Sequence, residues 1–107
     1  MIARSWTARA SPEGATEYAA FFARILAPQL KAIPGHRGAL VLDRAIENGQ
    51  RELTVVTFWD DREAIARFAG ATPDRAVVEA EAAALLTAFD TDVHHHQILV
   101  NALPEGG

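Results

Sequence analysis

The sequence predicts a single α+β domain in which helices cover one face of a four-stranded β-sheet. Three observations carry this prediction: stretches in which the residues alternate in character, intervening stretches with apolar residues at helical spacing, and an Asn-Gly pair typical of a tight hairpin. The chain has 107 residues, of which 50% are hydrophobic, so it can bury one core. Together these features predict the element order β-α-β-β-α-β.

Alternation and a helix-start signal define the N-terminal elements. Residues 2–9 alternate, so Arg4 and Trp6 share one face of the first predicted strand. Ser11 as N-cap and Pro12 at the first helical position then predict the start of a helix. Its core-facing stripe consists of apolar residues at helical spacing, namely Tyr18, Phe21, Phe22, Ile25 and Leu26.

Proline, asparagine and glycine divide the middle of the chain. We expect Pro28 to end or kink the first helix, because its ring clashes with the preceding turn. Residues 38–46 and 51–59 form the next two predicted strands. They are joined across Asn48-Gly49, a strong signal for a two-residue hairpin since both residues tolerate positive φ.

The C-terminal half predicts a second helix in two pieces and a last strand. Asp60 is the expected N-cap of a helix that ends at Gly70, and Glu63 completes a capping box. A further helix is expected over residues 72–89, where Thr-Pro provides a start signal. Residues 91–103 form the fourth predicted strand.

This order of elements is that of the ferredoxin-like split βαβ arrangement. We expect the first and third strands to lie side by side and parallel, with the second and fourth running the other way. Trp6, Trp59 and all four histidines would then lie at one end of the sheet. The domain is expected to span residues 1–103, and residues 104–107 to form a frayed tail.

Three consecutive histidines begin the apolar part of the last predicted strand. Strand alternation points His95 to one face and the pair His94 and His96 to the other. The pair has a spacing that zinc sites use, but a third ligand would have to come from His36 or a carboxylate such as Asp92. We therefore predict no metal site and expect the pair to line a sheet edge or a dimer seam.

The composition argues against two kinds of binding partner, nucleic acid and membranes. The net charge is −4 and the sequence has no basic cluster, which argues against nucleic acid. No apolar run is long enough to span a bilayer, and the first ten residues do not resemble a signal peptide, so we expect a cytoplasmic protein without membrane contact. The absence of cysteine excludes disulfides and thiolate metal sites.

Four segments resemble, in order and spacing, the small proteins of the antibiotic biosynthesis monooxygenase-like family. They are "RSW" on the first strand, "IPGHRGALVLDR", "TVVTFWDDREAIARFAG" and "LLTAFDTDVHHHQIL". The resemblance covers almost the whole chain. It implies a homodimer, a dimeric α+β barrel in which two sheets pack face to face with helices outside. Strands that are apolar on both faces suit that arrangement.

The resemblance also implies two kinds of chemistry. Some members are cofactor-independent oxygenases of aromatic phenols, in which the protein supplies a dry pocket, a base or hydrogen-bond donors, and stacking surfaces. Others degrade haem with an axial histidine on the second helix, an asparagine on the first strand and a tryptophan ending the third. Trp59 matches that tryptophan, but residues 71–86 contain no histidine and the first strand carries Arg4. No cofactor is therefore expected.

The candidate site follows from these matches. His95 is the expected base or hydrogen-bonding group and Arg4 the partner of a ligand oxyanion. The expected walls are aromatic, namely Trp6, Trp59, Phe22 and Phe68. The ligand would be a small aromatic or phenolic molecule held between the helices and the sheet. The tyrosine and asparagine of the family's pockets have no clear match here.

Each candidate also has a structural interpretation. Trp59 could be a hydrophobic staple at a helix start, Arg4 could pair with a carboxylate at a dimer interface, and His95 could be a hydrogen-bonded core histidine. Three functions remain open: a cofactor-independent monooxygenase-like protein, a non-catalytic ligand-binding or sensor dimer, and a dimerisation module without a pocket. A haem-degrading function is disfavoured by the missing histidine.

Overall fold

A computed structural model describes residues 1–104, and its architecture is the predicted mixed α+β type with an antiparallel sheet. Pro104 is exposed, and the rest of the expected C-terminal tail lies outside the described residues. None of the described helices is long and apolar enough to cross a membrane. The elements are β1 (Ile2–Ala10), α1 (Pro12–Phe21), a π-helical turn (Phe22–Leu26), α2 (Ala27–Lys31), β2 (His36–Ala45), β3 (Arg51–Trp59), α3 (Arg62–Ala69), α4 (Ala80–Ala83), β4 (Ala88–Phe89) and β5 (His94–Gln97).

The sheet has the order β2-β3-β1, and both β4 and β5 pair with the free side of β1. The expectation that the first and third strands are parallel is wrong: β1 and β3 are antiparallel, with Ile2 opposite Trp59 and Trp6 opposite Val55. The reason is the split βαβ unit itself. The helical crossover returns β2 parallel to β1, and the β2–β3 hairpin then inserts β3 between them in the opposite direction.

The corrected strand direction moves Trp6 away from the other residues that were expected at one end, whereas His36, Trp59 and His96 all lie toward the Ile2 end of the sheet. His36 and Ile2 are the partners of Trp59 on either side, whereas Trp6 lies four residues further along β1. Trp6 packs instead against Phe89, with ring centroids 6.0 Å apart. The two tryptophans therefore belong to different parts of the core.

One face of the sheet packs on the helices and forms the core. Along β1 the side chains of Ile2, Arg4, Ala8 and Ala10 are buried on this inner face, as alternation predicted. The opposite, outer face is also apolar. Leu40 and Leu42 of β2 stay 48% and 49% exposed there, because no element of the described chain covers them.

The first helix does not end at Pro28: it continues to Lys31 through a π-helical turn, so of the two expected effects of this proline the ending is wrong. Its N-cap is confirmed: Gly14 N donates to Ser11 Oγ at 3.0 Å. Proline is accommodated because the preceding turn is π-helical, with Ala27 N bonded to Phe22 O five residues back. The wider turn bypasses the backbone bond that Pro28 cannot make.

The start of α3 also differs from the sequence expectation. Asp61, not Asp60, caps α3 by accepting from Ala64 N at 2.9 Å, while Asp60 pairs with Arg37 at 2.6 Å.

The positive φ expected at Asn48 and Gly49 is confirmed, at 60° and 71°. The connection is one residue longer than expected, because Ile46 N donates to Gln50 O at 2.9 Å and leaves residues 47–49 as the loop.

The helix expected over residues 72–89 is reduced to the four residues of α4. The chain before α4 is bonded to distant partners instead: Ala76 N donates to Thr91 O at 2.8 Å and Val93 N donates to Asp74 O at 2.9 Å. The strand expected over residues 91–103 is likewise shortened, since only His94–Gln97 pairs with β1.

Candidate functional site

A cavity of about 310 Å³ lies between the inner face of the sheet and the helices. Its size falls at the lower end of small-molecule sites, which run from about 300 to about 1,000 Å³. Most of its lining is apolar, and its few polar groups come from the sheet, from the helices and from the segment before α4. The lining residues are Arg4, Trp6, Tyr18, Phe22, Leu26, Gln29, Leu30, Ile33, Val55, Thr57, Arg67, Phe68, Ala76, Val77, Val78, Glu79, Ala82 and Val93.

The π-helical turn shapes one wall of the cavity. Phe22 and Leu26, its first and last residues, both line the cavity, and Leu30 continues that wall in α2. Phe68 of α3 forms part of the lining, as the sequence predicted for a ligand wall. Residues 76–79, which the sequence analysis assigned to a helix, contribute the remaining wall in a non-helical conformation.

Arg4 is the buried charge of the cavity, with only 6% of the residue exposed. Its Nη2 donates to Arg75 O at 2.8 Å and to Pro73 O at 3.4 Å, and its guanidinium carbon lies 5.3 Å from the ring centroid of Phe68. Its Nε is buried and has no partner among the described residues. Burial lowers the pKa of Arg4, and Asp74 partly offsets this, so the cation is desolvated without a bonded carboxylate.

Trp6 and Tyr18 also belong to the aromatic lining of the cavity. Trp6 Nε1 donates to Asp90 O at 2.7 Å, which fixes the indole between Phe89 and Tyr18. Tyr18 was expected only as core, but it also lines the cavity. Burial raises the pKa of Tyr18 to about 12, so its phenol is a neutral hydrogen-bonding group at physiological pH.

Trp59 lies behind the lining instead of in it. It is 0% exposed, stacks on Phe68 with ring centroids 5.8 Å apart, and meets His36 edge-on at 5.0 Å. Its Nε1 donates to Thr57 Oγ1 at 2.8 Å. Trp59 is not among the residues that line the cavity, whereas Phe68 and Thr57, which it contacts, both are.

His95 faces the inner side of the sheet but does not line the cavity. It is the cross-strand partner of Arg4, and its side chain is only 5% exposed. Nδ1 lies 3.2 Å from Asp74 Oδ1, and Nε2 is buried with no partner among the described residues. Burial and the positive charges of Arg62 and Arg4 lower the pKa of His95, while Asp74 acts in the opposite direction.

His94 and His96 are exposed on the outer face, as alternation predicted. Their ring centroids are 6.5 Å apart, and Ser5 Oγ lies 3.1 Å from Nε2 of His96. His36 is remote from them, at the edge of Trp59. Over residues 1–104, no three side chains of the metal-ligating types come together.

Sequence reasoning missed most of the wall formed by residues 76–79 and by the end of the first helix. The apolar spacing that predicted Phe22 extends to Leu26, Leu30 and Ile33, so that signal was present. The part formed by residues 76–79 carried no such signal, because the segment is held by contacts with Arg4 of β1 and with Thr91 and Val93, which precede β5.

The fold and the site together define a class of protein: an α+β domain with a largely apolar cavity and one buried cation. Residues 1–80 match the family model described as antibiotic biosynthesis monooxygenase, and the chain belongs to this family. That match ends before β5, so it does not include His95.

Solved structures share the fold at low sequence identity. A candidate antibiotic biosynthesis monooxygenase from Bacillus cereus superposes with a TM-score of 0.67 at 16% identity, covering 97% of this chain and 98% of that one. One from Deinococcus radiodurans gives 0.61 at 16% identity, with both chains covered completely. MhuD, a haem degrader from Mycobacterium tuberculosis solved with two haems in its active site, gives 0.58 at 21% identity, covering 94% and 98%. A search of curated proteins found no match.

The cavity residues do not fit a histidine-ligated haem. None of the residues that line the cavity is a histidine. Of the four histidines, His94 and His96 face outward, His36 packs against Trp59, and His95 is enclosed beside Asp74.

Proposed function

We propose that this protein is a cofactor-independent monooxygenase-like protein that binds a small planar aromatic or phenolic molecule in the cavity. The observation that carries the proposal is Arg4, a desolvated cation that lines an otherwise largely apolar cavity without a bonded carboxylate. A buried cation is stabilised by an anionic partner, and a phenolate oxygen would be one. The aromatic walls would hold the rings of such a ligand.

The cavity suits the requirements of this chemistry. A deprotonated phenol can itself pass an electron to dioxygen, so the protein has to bind it, exclude water and stabilise its oxyanion. Phe68 and Trp6 would provide aromatic surfaces, and Arg4 would face the oxygen. A charge-assisted hydrogen bond from Arg4 would contribute about 1.5–3 kcal/mol to binding.

The protein would act as a homodimer. The family resemblance implies sheets packed face to face, and the outer face here presents Leu40, Leu42 and the half-buried Phe58. An apolar sheet face of this kind is normally covered in a soluble protein. A second copy of the chain is the partner that would cover it, and the partner would leave the cavity on the inner face accessible.

The first test measures binding and turnover with one simple phenol. 1-Naphthol binding to the purified protein is followed by the fluorescence of Trp6 and Trp59 and by calorimetry, and dissolved oxygen is followed with an electrode. We expect saturable binding and oxygen consumption. Arg4→Met should weaken naphthol binding by about 10- to 100-fold, the equivalent of one charge-assisted hydrogen bond.

Arg9→Met is the matched control, since Arg9 is an exposed residue of the same strand that does not line the cavity. It should bind naphthol like the unmodified protein. Binding without oxygen consumption across a panel of naphthols and anthracenols would reject the enzyme in favour of a non-catalytic binding or sensor dimer. A protein that binds none of the panel would leave only the dimerisation module.

A further inference from the structure

The hydroxyl of Tyr18 is a second polar group of the cavity that nothing in the described chain satisfies. Tyr18 lies on α1, lines the cavity and is only 3% exposed. Its hydroxyl has no hydrogen-bond partner among residues 1–104 and, in contrast to Arg4 Nε, is not fully enclosed. Because a buried tyrosine hydroxyl normally has a partner, this one points to a polar group held in the cavity.

Arg4 also keeps donors free for the same cavity. Its Nη2 is used by the carbonyls of Pro73 and Arg75, and its Nε is enclosed. Its Nη1 has no partner among the described residues and is not fully enclosed. Since a guanidinium carries N–H groups on all three nitrogens, the two on Nη1 are the donors that a ligand in the cavity can meet.

The contacts of Arg4 and Tyr18 place them toward different ends of the cavity. The guanidinium carbon of Arg4 lies 5.3 Å from the ring centroid of Phe68. The ring of Tyr18 lies 6.3 Å from Trp6 and 6.3 Å from Phe22. Trp6 follows Arg4 on the same face of β1, about 6.6 Å further along the strand. A ligand lying along β1 would therefore meet the cation at one end and the phenol at the other.

The two groups suit different oxygen atoms. Arg4 is a cation and favours an ionised oxygen. Burial raises the pKa of Tyr18 to about 12, so its phenol is neutral and can donate to or accept from an uncharged group. A carbonyl or a hydroxyl oxygen would satisfy it.

The size of the cavity fits a system of two fused rings. An apolar cavity of about 150 Å³ is enough to hold benzene. The cavity here has about 310 Å³, so a second ring has room beside the first. Oxygens on the two rings would then lie toward the two ends.

We infer that Tyr18 is a specificity-determining residue and that the cavity selects aromatic molecules with two oxygen substituents, one ionised and one neutral. Arg4 Nη1 binds the ionised oxygen, and the Tyr18 hydroxyl binds a carbonyl or hydroxyl group at the other end of the ring system. The inference rests on the proposed function for the phenolic end. It adds the second oxygen and the residue that recognises it.

The binding experiment compares 1,5-dihydroxynaphthalene with 5-methyl-1-naphthol, in which a methyl group replaces the second hydroxyl. Affinities are measured by calorimetry at pH 7.5 under nitrogen, so that neither probe is oxidised. Tyr18→Phe removes only the hydroxyl and keeps the ring contacts with Trp6 and Phe22. It should weaken binding of the diol about 2- to 12-fold, the equivalent of one neutral hydrogen bond. It should bind the methyl analogue at least as tightly as the unmodified protein does.

Thr16→Val is the matched control, because it removes an exposed hydroxyl from the same helix. Thr16 Oγ1 donates to Pro12 O at 3.2 Å, and the residue does not line the cavity. The control should leave both affinities unchanged. Equal weakening of both probes by Tyr18→Phe would mean that Tyr18 and Arg4 hold the same oxygen. No weakening of either would mean that the hydroxyl binds only water, and each of these results overturns the inference.

Unfolding in urea tests the free hydroxyl without any ligand. Because this hydroxyl makes no bond within the described chain, Tyr18→Phe should not lower the free energy of unfolding. A clear loss of stability would show that the fold itself uses the hydroxyl, and the inference would be wrong.

The inference and the proposed function can fail separately. If Arg4→Met leaves 1-naphthol binding unchanged while Tyr18→Phe still distinguishes the diol from the methyl analogue, the proposed function fails and the recognition of a second oxygen by Tyr18 stands. If Arg4→Met weakens 1-naphthol binding and oxygen is consumed, but Tyr18→Phe affects both probes alike, the proposed function stands and this inference fails.

Discussion

Trp59 shows how a conspicuous residue can support a site without touching a ligand. It is fully enclosed between Phe68 and His36, and its indole nitrogen donates to Thr57. Both Phe68 and Thr57 line the cavity. Trp59 therefore fixes two lining residues from behind, and its main contribution is to packing.

Removing this indole should cost more stability than removing the other tryptophan. Truncating a buried Trp costs about 3–5 kcal/mol, so Trp59→Ala should lower the free energy of unfolding by that amount. Trp6→Ala should cost less, since Trp6 is only half-buried and one side of it faces the cavity. Urea unfolding of both variants tests this order, and equal losses would contradict it.

The two buried histidines make stability depend on pH with a defined sign. Burial is the main cause that lowers the pKa of both His36 and His95 below the usual 6.5. A histidine with a lowered pKa binds fewer protons in the folded protein than in the unfolded chain at pH values near and just below 6.5. The free energy of unfolding therefore falls as the pH drops from about 7 to about 5. His36→Gln/His95→Gln should flatten this slope in urea titrations at pH 7.5, 6.5 and 5.5. An unchanged slope would show that carboxylates control this range.

At the scale of elements, local signals worked where neighbouring residues decide the structure. The Ser11 cap and the Asn48-Gly49 turn were predictable because each depends on a few consecutive residues. The π-helical turn before Pro28 was not predictable. Proline only removes one backbone hydrogen bond, and several backbone geometries can accommodate that loss. Residues 72–79 were assigned to a helix, yet their partners lie on β1 and near β5.

Gly35 lies between α2 and β2, at a position where a side chain does not fit. Its φ is +91°, and a Cβ there would lie 2.5 Å from Ala64 Cβ in α3. Gly35→Ala should therefore cost about 2–4 kcal/mol, combining left-handed strain with overpacking. The measurement is chemical unfolding.

Gly49→Ala separates these two causes. Gly49 has a φ of +71° but no atom within 4 Å of an added Cβ. Gly49→Ala should lower the free energy of unfolding only by the cost of the left-handed backbone conformation, about 1–2 kcal/mol. Equal losses at the two positions would mean that the contact of Gly35 with α3 is relaxed without cost.

At the scale of the molecule, the two faces of the sheet differ in what covers them. The inner face carries the core, the cavity and the buried Arg4. The outer face carries Leu40 and Leu42, about half exposed, together with His94 and His96 at the β5 side. We expect a second copy of the chain to cover this exposed apolar surface.

A charge on the outer face tests the proposed homodimer. We expect a mass near twice 11.6 kDa by light scattering, and Leu42→Glu should shift it to the monomer because the carboxylate would be buried unpaired. Ile25→Glu is the matched control, a 42% exposed apolar residue on the helical layer. A monomeric unmodified protein, or equal dissociation by both variants, would refute this arrangement.

The sequence by itself determined the α+β class, the family, the hairpin, the helix cap and the faces of β1, because these depend on periodicity and on adjacent residues. It also pointed to Arg4, Trp6, Phe22 and Phe68, which all line the cavity. Only the tertiary structure decided the direction of β3 beside β1, the withdrawal of Trp59 from the lining and the meeting of His95 with Asp74. Those outcomes depend on contacts such as that of Arg4 with the Arg75 carbonyl, 71 positions away, and no local pattern encodes a partner at that separation.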